Sequence, residues 1–179
     1  ELARRGQHER LPPVFDAIAE RARHLHAFLS GYARFAKLPQ PLLAPVDWPA
    51  FIDGLATHSR FQRLGELPTK PARFDAGQLE QALINLVRNA HESGSEADAV
   101  TLALQVQDGE CRFTVADRGP GMSPTVLAQA LLPFYSTKRS GTGLGLALAR
   151  EIAEAHGGRI ALANRDGGGL SATLVIPAG

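Results

Sequence analysis

The stretch "GTGLGLALAREIAEAHGG", Gly141 to Gly158, constrains the chain more than any other. It sets glycines at alternate positions, Gly141, Gly143 and Gly145, directly against an apolar helix pattern that Gly157 and Gly158 stop. A backbone without side chains at the mouth of a helix lets amide N–H groups approach a phosphate, and the positive end of the helix adds to the attraction. Two familiar phosphate loops do not fit. A dinucleotide fingerprint needs a third glycine three positions after the second and a strand leading in, whereas Leu146 or Leu148 stands at that place and polar "FYSTKRS" precedes. A Walker loop needs Gly-Lys-Ser/Thr, which is absent.

Around this stretch, helix and strand patterns alternate in blocks. From Val14 to Ala36, Phe15, Ile18, Ala22, Leu25, Leu29 and Ala33 recur at helical spacing, and Pro12-Pro13 stands where a first turn accepts proline. "KLPQPLLAP", Lys37 to Pro45, ends that helix and marks the best boundary, dividing residues 1–45 from 46–179. Asp47 offers an N-cap for a helix through about His58, and "FQRLGEL" and "PARF" read as short strands. Asp75 caps "AGQLEQALINLVRNAHES", with an apolar face of Leu79, Ala82, Leu83, Leu86, Val87 and Ala90. "AVTLALQV" and "CRFTVAD" form a hairpin through Asp108-Gly109, and "RIALAN" and "LSATLVIP" follow the glycine-led helix, which runs from Leu144 to His156. Such blocks predict an α+β two-layer sandwich preceded by a long helix.

The remaining chemistry is narrow. Net charge is +1, so the overall balance does not call for nucleic acid, although the N-terminal stretch is locally basic. The lone Cys111 excludes an internal disulfide and a cysteine metal cluster, fits a reducing compartment, and reads as a core residue of a strand. No apolar run spans a bilayer. A second glycine cluster, "DRGPGMS", Asp117 to Ser123, follows a strand that buries Phe113 and Val115; a carboxylate leaving a strand into Gly-Pro-Gly reaches a polar ligand edge while the glycines let a flat ring lie close. Asn85 and Asn89 share one face of a helix otherwise built of Leu, Ile, Val and Ala, where asparagine is a mediocre former. A side-chain amide oxygen can complete the oxygen shell of Mg²⁺.

Jointly, these features resemble the catalytic, ATP-binding domain of sensor histidine kinases, in the superfamily shared with gyrase, a heat-shock chaperone and mismatch-repair ATPases. "NLVRNAHES" is similar to the N box, "DRGPGMS" to the first glycine box, "PFYSTK" to the F box and "GTGLGLALA" to the second glycine box, in family order across Asp75 to Pro177. The resemblance implies a Bergerat-type fold, a mixed, mostly antiparallel sheet with helices on one face. It implies that Asn89 ligates Mg²⁺ on the triphosphate of ATP and that Asp117 accepts from the adenine amino group, with Gly119 and Gly121 shaping the adenine wall. Met122 to Ser140 would be a mobile lid, its far end pinned to the core by Phe134 and Tyr135, with Lys138 free to seek the phosphates. Gly141, Gly143 and Gly145 would supply amides, and Met122, Phe134, Thr142 and Leu144 would complete the nucleotide contacts.

ATP-hydrolysing members carry a glutamate four residues before the magnesium asparagine, where it activates water. Asn85 stands there, so the chain is expected to hand the γ-phosphoryl to an imidazole rather than hydrolyse ATP, with Asn85, Asn89 and Lys138 at the reacting end. The rival readings are an ATP-hydrolysing clamp of the same fold and a nucleotide-binding module without transfer. "AERARHLHAFLSGYARFAKLPQP" resembles the second helix of the dimerisation domain of nitrogen-regulation-type sensor kinases. The implied partners are an acceptor histidine on the protein's own dimerisation domain, in a homodimer, and a cognate response regulator. The setting is cytoplasmic, with a parent that can be membrane-anchored. The acceptor is expected on a first helix upstream of this chain. His8, followed by Glu9 and Pro13, matches the acceptor spacing only superficially, and His24, His26, His58, His91 and His156 read as ordinary surface or helix-end residues.

Overall fold

A computed structural model describes residues 38–138 and 141–179, with eight helical, exposed positions before them: Phe15, Asp16, Ile18, Ala19, Arg21, Ala22, Leu25 and Leu29. The rest of the expected Val14 to Ala36 helix, and His8, lie outside the described residues.

Strand β1 (Ala44–Pro45) leads to helix α1 (Trp48–His58), strands β2 (Gln62–Leu64) and β3 (Arg73–Phe74), and helix α2 (Ala76–His91). The hairpin β4 (Thr101–Gln107) and β5 (Glu110–Ala116) follows, then a short helix α3 (Pro124–Gln129), helix α4 (Gly145–Ala155) and strands β6 (Arg159–Asn164) and β7 (Leu170–Pro177). The main sheet has the order β2-β4-β5-β7-β6, parallel between β2 and β4 and antiparallel elsewhere, while β1 pairs antiparallel with β3. The mixed, mostly antiparallel two-layer sandwich is therefore borne out.

Local chemistry sets these boundaries. The side chain of Asp75 accepts from the Gln78 N–H at 3.0 Å and so caps α2, whereas Asp47 stands at the cap of α1 without a side-chain bond. Asp108 and Gly109 both have positive φ, 53° and 76°, the geometry of a two-residue hairpin turn. Helix α4 ends in a Schellman pair: the Gly157 and Gly158 amides donate to the Glu154 and Ala153 carbonyls, with Gly157 left-handed at φ 74°.

Alternation puts Leu102 and Leu104, then Cys111, Phe113 and Val115, then Ala172, Leu174 and Ile176 on the sheet face covered by α1, α2 and α4. Burial of Cys111 pushes its thiol pKa up to about 11, as expected of a core cysteine rather than a reactive one. Trp48, Phe51, Phe74 and Phe113 form an aromatic knot under α1, with ring centroids 5.3 to 6.4 Å apart. This core holds α2 and α4 side by side and turns the start of α4 toward the last turns of α2.

His156 departs from the expectation of an ordinary helix-end histidine. It is buried; its Nε2 accepts the Asp75 backbone N–H at 3.2 Å and its Nδ1 lies 2.8 Å from the Ile152 carbonyl. The ring thus joins the end of α4 to the beginning of α2.

Candidate nucleotide site

Between the C-terminal half of α2, the start of α4 and the segment joining α3 to α4 lies a cavity of about 250 Å³. Asn85, Asn89, Met122, Lys138, Gly141, Thr142, Gly143 and Gly145 line it, together with Arg88, Glu92 and Tyr135. Asp117, Gly119, Gly121, Phe134 and Leu144 do not. Polar floor and walls follow from sequence: Asn85, Arg88, Asn89 and Glu92 occupy successive helical steps that bring them to one side of α2.

The floor is rich in donors. The Gly145 and Leu146 amides, in the first turn of α4, donate no hydrogen bond among the described residues. Asn85 is 4% exposed, its Oδ1 accepts from the Arg88 guanidinium at 3.0 Å, and its buried Nδ2 has no partner among the described residues. Each glycine has its own reason. Gly143 is left-handed at φ 68°, and a Cβ there would meet the Phe134 carbonyl carbon at 2.5 Å. A Cβ on Gly141 would strike the Ser136 hydroxyl. One on Gly145 would touch only Arg88 and Asn85, at 3.4 and 3.8 Å. The first two keep the loop folded against Phe134 to Ser136; the third keeps the mouth of α4 open.

Lys138 is not free, as the sequence reading had expected. Its ammonium donates to Asn89 Oδ1 at 3.2 Å and to Glu92 Oε2 at 2.9 Å, because an ammonium beside two uncommitted oxygens of α2 pairs with them. Nor does Phe134 pin the lid to the core. It is 50% exposed with a left-handed φ of 66°, and it joins the glycine loop through its backbone N–H, which donates to the Gly143 carbonyl at 3.0 Å. The lid contains α3, capped by the Ser123 side chain accepting from the Val126 N–H; Ser-Pro followed by "TVLAQ" was the overlooked signal. Arg139 and Ser140 of the expected lid lie outside the described residues.

Outside this cavity, at the end of β5, Asp117 is 2% exposed. Its Oδ1 accepts from the Gly119 and Leu170 amides at 2.8 and 3.2 Å, which fixes the carboxylate, while Oδ2 takes no hydrogen bond among the described residues. Gly119 lies against Ser93, where any Cβ would clash, and a Cβ on Gly121 would meet Asn164 Oδ1 at 2.7 Å. Asn164, at the end of β6, grips Met122 twice, accepting from its N–H at 2.8 Å and donating to its carbonyl at 2.7 Å. This anchor of the lid escaped the sequence reading, since only the fold brings positions 122 and 164 together.

Comparison with known proteins bears on this arrangement. The family model described as "Histidine kinase-, DNA gyrase B-, and HSP90-like ATPase" matches residues 74–179, more than half of the chain. The chain belongs to that family. The sensor histidine kinase ZraS of Klebsiella oxytoca is 39% identical over 104 residues, 58% of this chain and 22% of that protein. The C4-dicarboxylate transport sensor protein DctS of Rhodobacter capsulatus is 32% identical over 182 residues, 93% of this chain and 27% of that protein. Full-length ShkA, solved in complex with AMPPNP, superposes with a TM-score of 0.73 at 28% identity, over 93% of this chain and 38% of that one. The chain thus spans about a quarter of the length of the curated relatives it matches. As a member of the family it carries the ATP-binding catalytic domain of a histidine kinase. No described helix is long and apolar enough to cross a membrane, and the described residues contain no cluster of three or more His, Cys, Asp or Glu that could hold a metal ion.

Proposed function

We propose that the domain binds Mg-ATP with its phosphates in the cavity at the start of α4 and passes the γ-phosphoryl to a histidine on the protein's own dimerisation domain. The observation that carries this reading is the donor-rich floor, where unpaired first-turn amides of α4 meet the unpartnered Nδ2 of buried Asn85. Asp117, oriented by two amides, accepts from the adenine amino group, and Gly119, Gly121, Met122, Phe134, Thr142 and Leu144 complete the nucleotide contacts. Lys138 moves from Asn89 and Glu92 onto the phosphates.

Asn89 and Glu92 together offer oxygen donors to a cation: the Lys138 ammonium bridges an amide oxygen of Asn89 and a carboxylate oxygen of Glu92. Hard oxygen donors of this kind suit Mg²⁺, so Asn89 would hold the ion, which when bound neutralises charge on the transferring phosphoryl. In transfer, an imidazole nitrogen forms a bond to Pγ, the bond from Pγ to the β–γ bridging oxygen breaks, ADP leaves, and the imidazole gives its proton to solvent. The protein's task is positioning and charge stabilisation. Asn85, at the place of a water-activating glutamate, has no basic group to take a proton, which disfavours the ATPase reading.

The dimerisation partner, response regulator and cytoplasmic, possible membrane-tethered setting belong to the same proposal. Phe15, Ile18, Ala22, Leu25 and Leu29 form an exposed apolar stripe at alternating three- and four-residue spacing, the seam that a second helix of a homodimer requires. The test is labelling with γ-³²P-ATP. The longer protein containing this domain should acquire an acid-labile, base-stable phosphoryl group on histidine, while Asn89→Ala should abolish labelling and the Mg²⁺ dependence of nucleotide binding. Label on an acid-stable residue, or labelling that persists in Asn89→Ala, would overturn the reading. His8→Gln is the internal control: loss of label there places the acceptor at His8 rather than on an upstream helix.

A further inference from the structure

Resting on the nucleotide reading above, we infer that Arg88 selects the triphosphate: its guanidinium, seated over the first residue of α4, binds the terminal phosphate of ATP and separates ATP from ADP. Arg88 stands between Asn85 and Asn89 in the N-box stretch with no role assigned to it there, and three observations give it one.

The first is position. Arg88 lines the same cavity as the glycine loop, and its Nη2 stands 3.4 Å from where a Cβ on Gly145 would be. Gly145 is therefore the one glycine of the run that faces Arg88 and Asn85 rather than Ser136 or the backbone of the loop.

The second is the state of its neighbours. Arg88 Nη2 donates to Asn85 Oδ1 at 3.0 Å, so the oxygen of that amide faces the guanidinium and the buried Nδ2 is left as a donor without a partner. The Gly145 and Leu146 amides, unpaired among the described residues, set further donors beside it. Such a group lacks an acceptor-rich occupant, and a phosphoryl with three oxygens matches it.

The third is the balance of charge. Of the two cations that line the cavity among the described residues, Lys138 is held by Asn89 and Glu92, whereas Arg88 lies 3.9 Å from Glu92, with both side chains about half exposed. An exposed pair at that separation costs little to break. Arg88 is thus the cation already facing the floor. Because Asp117 lies outside the cavity lining, this floor takes the far end of the nucleotide rather than its base.

A planar fork gives Arg88 two parallel hydrogen bonds to phosphoryl oxygens, which lysine cannot copy. Its partnership with Asn85 adds a consequence. By holding Oδ1, Arg88 keeps the Asn85 amide turned so that a donor faces the terminal phosphate, and water near that phosphate finds no acceptor to activate it.

Titration calorimetry of the 179-residue chain with Mg-ATP and Mg-ADP tests this. Arg88→Ala should weaken ATP binding by about tenfold to a hundredfold and ADP binding by no more than about twofold, collapsing the preference for ATP. Arg88→Lys should fall between, since it keeps the charge and loses the fork. Arg88→Gln keeps a donor for Asn85 without the charge and provides the reading should the alanine variant fail to fold; it should lose the preference too. A residue that merely buttresses Asn85 would move ATP and ADP together. Equal losses for both nucleotides in Arg88→Ala and Arg88→Gln, or no loss for either, would overturn the role of Arg88 while leaving the nucleotide reading intact. A wild-type chain that binds neither nucleotide would overturn both.

Discussion

Asp117 shows how the backbone can orient a single buried carboxylate. Two amides, of Gly119 and Leu170, hold Oδ1, so burial to 2% exposure costs the carboxylate less than it would unpaired, and Oδ2 remains for a donor. Asp117→Asn should weaken ATP binding by about tenfold to a hundredfold, the worth of a charge-assisted hydrogen bond, in calorimetry, and unchanged affinity would remove Asp117 from the base end of the site. At this scale the sequence was informative where residue type and local spacing carry the meaning. That Asn85 and Asn89 share one side of α2 and that Asp117 leaves a strand into a glycine turn was legible, because polar residues in an apolar helix and a carboxylate before Gly-Pro-Gly are locally anomalous. The Lys138 bridge to Asn89 and Glu92, the buried ring of His156 and the double grip of Asn164 on Met122 were not. Each spans between 42 and 81 positions of chain, and nothing near either end marks it.

At the scale of elements, the periods of α1, α2 and α4, the hairpin and the glycine stops were readable while the short α3 was not, and the glycine run combines two purposes that sequence cannot separate. A Cβ at residue 143 would stand 2.5 Å from one backbone atom and 2.7 Å from another, in a left-handed conformation that costs a side chain about 1–2 kcal/mol. Gly143→Ala should therefore reshape the loop against Phe134 and Tyr135 rather than unfold the domain. ATP affinity should drop at least about tenfold while the melting temperature moves by only about 5 °C or less, since the core is untouched. Binding that survives in Gly143→Ala would show that the loop's shape is not needed for the phosphates. The lid makes a second case. Helix α3 buries no side chain, and its segment is tied down chiefly by Asn164 at one end and by Lys138 at the other. Amide exchange over 124–138 should run at least about tenfold faster than in the buried half of α2 and slow on adding Mg-ATP, as Lys138 exchanges its α2 partners for phosphate. Equal rates with and without nucleotide would rule out closure.

For the molecule as a whole, Asp75 is the point where three parts meet. Oδ1 caps α2 through the Gln78 amide, Oδ2 accepts the Leu42 amide of the segment leading in from the N-terminal helix, and its own N–H reaches His156 at the end of α4. Gln78 adds a bond to the Pro39 carbonyl, and Arg73 one to that of Leu43, so the entering chain is fastened to the start of α2 and to β3. Partial burial raises the carboxyl's pKa, but the Gln78 and Leu42 amides, with His156, outweigh it and hold the group below its ordinary value of 3.8. The sign follows. A depressed carboxyl contributes stability above the unfolded pKa, and that contribution is lost as pH falls through the lowered folded value. Asp75→Asn, which keeps one acceptor oxygen where two amides converge, should cost about 1 kcal/mol in urea denaturation at neutral pH, the worth of the one hydrogen bond it gives up, since asparagine caps a helix as well as aspartate does. That difference from wild type should hold down to about pH 5 and shrink only as the pH falls below 3.8. Hydrogen exchange at the Leu42 amide should accelerate in the variant even where global stability is ample, because the tether is local. A difference that grows on acidification, or a Leu42 amide as protected as before, would mean that Asp75 caps α2 without fastening the entering chain to it.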